Sequence, residues 1–374
     1  VLRAALLILL AFAAGCSSRS PSLAPDPLPQ LEPVLDLGIV WVRPTEPSVA
    51  GGGALSADPG SLCLLESGGN IRVINPGDGS EEASTPAGRP LSGDPVCSGS
   101  YRALVDFENN LVMLDADAEV LWETSLSGSR NGSPVFLPEQ DLLVIQDESG
   151  KLSAYGAQTG VERWAFSVPE GSLRIDADAG LVRAGEVVLA GFRNGKLYAI
   201  DTRTGLDLWE STIAIPDGTY EFSRLVHVNP PSRSGAIACA TSYQGNISCI
   251  ELTNGRQIWS KAFSSTKSPL AADGAVFALD ERDVIHAFGL TTGEELWENA
   301  DMKRRGLRLL GASGQAILVG DFEGYVHLID ASTGAALGRS RIASAELISA
   351  AETGGDFIVR SADGTLARVT LDGT

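Results

Sequence analysis

Residues 194–209 read NGKLYAIDTRTGLDLW, and this pattern recurs along the chain. Close copies are SGKLSAYGAQTGVERW at 149–164, QGNISCIELTNGRQIW at 244–259 and RDVIHAFGLTTGEELW at 282–297. EGYVHLIDASTGAALG at 323–338 is weaker, with Gly338 at the Trp position. FENNLVMLDADAEVLW at 107–122 lacks one residue of the second turn, and GGNIRVINPGDGSEEA at 68–83 puts Ala83 in the Trp place. Gly150, Gly195, Gly245, Asp283 and Gly324 each stand 14 residues before the Trp position. Each piece has a physical translation. Asn194-Gly195 suits a two-residue hairpin turn, which needs positive φ. K-L-Y-A-I-D alternates apolar and polar, as a half-buried strand should. Asp201-x-x-Thr204-Gly205 makes the next tight turn, and Trp209 opens another strand. Short apolar runs lie upstream, at Pro134–Leu137, Glu186–Gly191, Gly235–Ala240, Gly274–Ala278 and Ala316–Gly320. About four short antiparallel strands per repeat is the blade of a β-propeller.

Counting the Trp-type positions gives 41, 83, 122, 164, 209, 259, 297 and 338, hence eight blades. The last copy, SADGTLARVTLDGT from 361, stops before its own Trp, whereas Ile39-Val40-Trp41 has a Trp without a preceding hairpin. The two fragments are complementary. The first strand is therefore expected to complete the last blade, joining the chain ends and removing open sheet edges. Length alone, at about 150 residues per domain, would suggest two or three domains. The repeat instead makes residues 38–374 one all-β, eight-bladed ring, and the 42 glycines become its turns.

Ahead of the ring, residues 1–16 read VLRAALLILLAFAAGC. Arg3, the apolar stretch Ala4 to Ala14 and the small residues before Cys16 have the plan of a secretory signal. The apolar run is too short for a permanent transmembrane helix, which needs about 18–20 residues. Residues 1–15 thus read as a signal peptide. Residues 16–37, with the Ser- and Pro-rich run SSRSPSLAPDPLPQLEP, read as an extended tether. The cut before Cys16 resembles the lipobox of bacterial lipoproteins. That resemblance implies acylation of Cys16, and several buried acyl chains hold a soluble domain on a membrane. Ser17, rather than Asp, after the lipidated Cys fits export to the outer membrane.

The remaining composition narrows the chemistry. Lys plus Arg number 28 against 47 Asp plus Glu, a net charge of −19 that repels phosphate backbones, so nucleic acid is not expected as a partner. No nucleophile–base pattern, P-loop or zinc-protease motif is present. Cys63, Cys97, Cys239 and Cys249 allow three disulfide pairings, which spacing does not resolve; the favoured reading leaves them as buried small side chains. No C-x-x-C occurs, and His227, His286 and His327 lie far apart in sequence, which argues against a metal site.

Ala199 to Trp209 resembles the tryptophan-docking motif of quinoprotein-like propellers, A-x-D-x-x-T-G-x-x-x-W. That likeness implies that Trp41, Trp122, Trp164, Trp209, Trp259 and Trp297 stack between neighbouring blades. Alcohol dehydrogenases of this group bind pyrroloquinoline quinone with Ca²⁺ over the central channel, which leaves a small quinone-dependent dehydrogenase, or another periplasmic binding or sensor propeller, as the alternative readings. Many carry a vicinal Cys pair, absent here; Asp115-x-Asp117 and Asp176-x-Asp178 read as turn residues rather than a Ca²⁺ loop. No cofactor is expected.

The lipobox, Pro-rich tether and lone propeller together resemble the BamB family of outer-membrane β-barrel assembly lipoproteins. VGDFEGYVHLIDASTG at 319–334 and VRSADGTLARV at 359–369 are similar to that family's last two blades. AFSVPEGSLRIDADAG at 165–180 is similar to its insertion between two blades, and FSRLVHVNPP at 222–231 to the neighbouring connection. The family resemblance implies a non-enzymatic scaffold of the BAM complex, binding POTRA domains of BamA, with unfolded barrel precursors as its clients. It makes Leu173 an apolar anchor and Arg174 a charged donor to the partner. His227 and Asn229 stand where the family often carries an Asp-x-Asp pair, a loss of two charges.

Overall fold

A computed structural model describes residues 24–47, 55–58, 61–93, 95–169, 181–214, 226–228 and 236–371. They form eight four-stranded antiparallel sheets, and contacts between consecutive sheets run round a ring that returns from the last to the first. Blade 1 spans residues 56–86, blade 2 96–125, blade 3 135–167 and blade 4 181–212. Blade 5 spans 226–263, blade 6 270–299 and blade 7 308–341. Blade 8 combines Leu347–Thr353, Asp356–Ser361 and Thr365–Thr370 with Gly38–Pro44 as its outermost strand. Gly38 pairs with Thr370 and Pro44 with Thr365.

Burial follows position within the blade. The second and third strands are covered on both faces, as in Leu142–Gln146, where every residue is buried. K-L-Y-A-I-D is buried throughout its middle four residues, not half-buried as its alternation suggests. Tyr198 is amphipathic, and packing between two neighbouring blades leaves neither face wet. Only the outermost strands alternate, as in Asp207–Thr212. The core is therefore not one mass but a set of seams. Leu152, Trp164, Val188 and Ile200 fill the seam between blades 3 and 4, and Phe277, Ile285, Ile317 and Val319 that between 6 and 7.

Six seams use the same device. The Trp Nε1 of one blade donates to a carbonyl in the last hairpin turn of the next: Trp41 to Pro76 (3.3 Å), Trp122 to Ala157 (2.7 Å), Trp164 to Thr202 (2.8 Å). Trp209, Trp259 and Trp297 reach Leu252, Leu290 and Ala331 at 2.8, 2.8 and 3.0 Å. The turn itself is built as its sequence suggests. Asp201 Oδ1 accepts from the amides of Arg203 and Thr204 and from the Thr204 hydroxyl. The Thr204 hydroxyl, first among these, holds the Asp201 carboxyl below its usual range.

The two seams without Trp are closed differently. Between blades 1 and 2, Ala83 packs on Cys63, Val73 and Cys97, and Cys63 is disulfide-bonded to Cys97 across the seam. Cys239 is bonded to Cys249 within blade 5, directly opposite it in register. The reading of the cysteines as free buried side chains is thus corrected. Strand register brings Cys239 and Cys249 face to face, and the propeller ring brings Cys63 beside Cys97, a relation linear spacing does not show. Between blades 7 and 8, the amides of Val34 and Leu35 donate to Leu337 O at 2.7 and 3.1 Å. Leu35 O fills the space beside Gly338 that a side chain would occupy.

Residues 24–37 accordingly lie along the ring. Asp26 N donates to Lys303 O (3.0 Å), and Arg304 binds the Asp26 carboxylate at 2.5 Å. Arg305, buried, donates to Asp26 O (3.1 Å) and pairs with Asp321 (2.8 Å). Leu28 packs on the seam of blades 6 and 7, and Leu35 and Leu37 on that of 7 and 8. Residues 24–37 of the expected tether are docked on the ring.

Candidate partner-binding face

In an antiparallel four-stranded blade, the connection to the next blade and the turn between the second and third strands emerge on one face of the ring. The other two turns emerge on the opposite face. Between successive blades the connections run from 5 residues at 342–346 to 11 at 45–55, whereas blades 3 and 4 are joined by the 13 residues 168–180 and blades 4 and 5 by the 13 residues 213–225. These neighbouring extensions are where the repeat breaks its period. The lengthening before Trp259 falls in two stretches, 213–225 ahead of the strand Val226–Val228 and 229–236 after it, inside blade 5.

The roots of both connections are firmly set. Val168 is buried, and its amide donates to Gly150 O (3.0 Å). Beneath it, Phe166, Phe192 and Tyr198 pack with ring centroids 5.2–5.9 Å apart. Burial raises the Tyr198 phenol above its ordinary value, with Asn194 opposing. Ile213 and Ala214 are fully buried and both donate to Gly195 O, at 2.9 and 3.0 Å. Gly195, at φ +80°, has no room for a side chain: a Cβ would meet Ala214 O at 2.3 Å. Blades 3 and 4 are braced by Gln146 Nε2 on Gly191 O (3.1 Å) and by Arg193 with Glu148 (3.6 Å). Both loops therefore leave a rigid platform, a suitable base for recognition.

Leu173, Arg174 and Asn229 lie outside the described residues, as does Cys16. His227 falls in the innermost strand of blade 5, Val226–Val228, paired with Thr241. It is thus one residue inside the ring edge from which 213–225 emerges, not in a loop. The six Trp residues sit at the seams. Sequence reasoning passed over Phe107, which is 63% exposed at the turn between the second and third strands of blade 2, on the loop-bearing face. Phe322 occupies the matching turn of blade 7, with the Arg305 guanidinium 5.0 Å from its ring centroid. The signal was available: F-E-N and F-E-G at the first turn put a phenylalanine where most other copies carry a polar residue, Tyr243 being the other aromatic there.

Among the described residues, one group combines three His, Cys, Asp or Glu ligand atoms, at the outer edge of blade 6 rather than over the channel. Asp115 spends its carboxylate on the amides of Asp117 and Glu119, as a turn residue does; Asp176 and Asp178 lie outside the described residues. The described residues include no helix long and apolar enough to cross a membrane.

The family model described as outer membrane protein assembly factor BamB matches residues 67–299 and 281–374. The chain belongs to the BamB family. A BamB of Burkholderia pseudomallei is 29% identical over 356 residues, covering 94% of this chain and 92% of that protein. A BamB of Shewanella oneidensis is 34% identical over 259 residues, 68% of this chain and 65% of that one. Among solved structures, BamB from Moraxella catarrhalis superposes with a TM-score of 0.79 at 22% identity, over 90% of this chain and all of that one. The quinohemoprotein alcohol dehydrogenase of Comamonas testosteroni has a TM-score of 0.66 at 12% identity, over 91% and 77% of the two chains. That likeness is one of fold.

Proposed function

We propose that this protein is a non-enzymatic scaffold of outer-membrane β-barrel assembly, docking POTRA domains of BamA through the connections 168–180 and 213–225. The observation that carries the reading is their pairing: the two longest inter-blade connections follow neighbouring blades and start from firmly set roots at Val168 and at Ile213-Ala214. Membership of the BamB family supports the assembly role. Arg174 would donate to the partner and Leu173 insert beside it; Arg is enriched at interface hot spots. His227 would border the second connection, whereas Asn229 follows the far end of the strand Val226–Val228, away from it. Acylated Cys16 would anchor the protein at the periplasmic face of the outer membrane. Clients would be unfolded barrel precursors.

The test is a pull-down of purified protein with the POTRA domains of BamA from the same organism. Arg174→Glu and Leu173→Asp, each with unchanged circular dichroism, should lose retention. Undiminished binding by the folded double variant would reject this patch. Mass spectrometry of the membrane-extracted protein should find acyl chains on Cys16, and an unmodified cysteine would reject the anchor.

A further inference from the structure

The outer edge of blade 6 gathers a group that neither the seams nor the partner-binding loops use. His286, on the third strand, pairs in register with Glu298 on the outermost strand. A bulge at Ala287/Phe288 sets Glu295 opposite Phe288, on the same side of the sheet as His286. His286 Nδ1 lies 2.8 Å from Glu295 Oε1. One ligand atom from each of His286, Glu295 and Glu298 falls within 4.8 Å of the other two.

The imidazole is held in place before any ligand arrives. Its ring stands edge-on to Phe263 (centroids 5.3 Å apart, 87°) and parallel to Phe288 (6.1 Å, 6°). The His286 side chain is 14% exposed, while Glu295 is 46% exposed, so the ring is fixed and the carboxylates are free to swing. On the ring's other side, Asp280 Oδ2 lies 4.0 Å from Nε2. That carboxylate is itself fixed by the amides of Arg282 and Val284 and by the Arg282 guanidinium. One imidazole nitrogen faces an exposed carboxylate pair, and the other faces an anchored carboxylate about 1 Å beyond hydrogen-bond reach, on the side where a metal-binding histidine keeps its supporting partner.

We propose that His286, Glu295 and Glu298 bind a divalent cation of the zinc class, with Asp280 orienting the ring. Imidazole suits Zn²⁺, whereas Mg²⁺ and Ca²⁺ prefer all-oxygen sets. Two carboxylates neutralise the charge, and water completes the tetrahedron. The ligand atoms must close toward zinc distances of about 2.0–2.2 Å, which rotation of the two exposed Glu side chains supplies. Bound through Nδ1, the neutral ring keeps its one proton on Nε2, on the side of Asp280. The ion would clasp the outermost strand of blade 6 to its inner neighbour. The site lies at the ring's outer rim and is independent of the proposed POTRA contact.

Isothermal titration of the full chain, freed of metal by chelation, should show one Zn²⁺ per molecule and a raised melting temperature. Mg²⁺ and Ca²⁺ should give neither. Glu295→Gln and Glu298→Gln should each weaken Zn²⁺ binding by about tenfold or more, and His286→Ala should abolish it. Circular dichroism of these surface variants should match the parent. Absence of Zn²⁺ binding overturns the proposal, as does equal binding of Ca²⁺. Binding that survives His286→Ala places the ion elsewhere and overturns it too.

Discussion

Gly205 lies against the indole of Trp164 from the neighbouring blade, so closely that a Cβ on the glycine would come within 2.6 Å of the ring. The same relation joins Gly160 to Trp122, Gly255 to Trp209, Gly293 to Trp259, Gly334 to Trp297 and Gly79 to Trp41. The Thr-Gly and the Trp of the repeat thus form a pair between blades, not within one. Trp209, 4 residues after Gly205, serves the next seam along.

Gly205→Ala should therefore destabilise the ring twice over, through its φ of +71° and through the indole. The left-handed conformation alone costs an alanine about 1–2 kcal/mol. Trp164→Ala should cost about 3–5 kcal/mol. In urea unfolding the double variant should lose less than the sum, because the clash disappears with the ring. Strict additivity would show that the two residues do not couple.

The disulfides should differ in weight. Cys63–Cys97 closes a separation of 34 residues and Cys239–Cys249 one of 10. Chain entropy then gives about 3.8 and about 2.7 kcal/mol. Removing the first also weakens the seam where Ala83 replaces Trp. Paired Cys→Ala variants compared by thermal melting should rank in that order, and the reverse ranking would contradict the seam role.

Acid should loosen the clamp on residues 24–37. Burial raises the Asp321 carboxyl, but His327, the Tyr325 amide and Arg305 outweigh it and leave it below its ordinary value. A depressed folded-state value stabilises fully above the unfolded value of about 3.9 and is lost as pH falls through the lower folded one. Urea midpoints should drop below about pH 4, and Asp321→Asn should be less stable at pH 7 with a flatter acid limb. An unchanged limb would remove Asp321 from the clamp.

Pyrroloquinoline quinone with Ca²⁺ should leave the protein's absorbance unaltered and support no dye reduction with alcohols. Turnover would overturn the scaffold reading.

Much of this architecture was legible because a propeller repeats short-range rules. The Asn-Gly and Thr-Gly turns and the Trp spacing state the blade, and counting them states the ring. What stayed hidden depends on which blades become neighbours. Cys63 and Cys97 sit in different repeats, and their bond follows from the seam. The cover on both faces of Lys196–Asp201 likewise comes from flanking blades, whose presence a six-residue window does not contain. The docking of residues 24–37 was masked by composition. Pro and Ser suggest a spacer, whereas Leu28, Leu35, Leu37 and Asp26 are the residues that bind. Of the candidate site, the loop positions were visible as breaks in period, but the division of the second break by the three-residue strand Val226–Val228 was not.

The pairing of Gly38 with Thr370 has a consequence for how the molecule comes into being. Seven blades are built from consecutive hairpins, so their contacts are local and form early. The eighth requires segments from opposite ends of the ring to meet, and such long-range closure is intrinsically slow. Until it happens, the apolar flanks of blades 1 and 7 stand open, a state prone to association. Ring closure is thus the step expected to be slowest in folding, and it rests on the strand Gly38–Pro44.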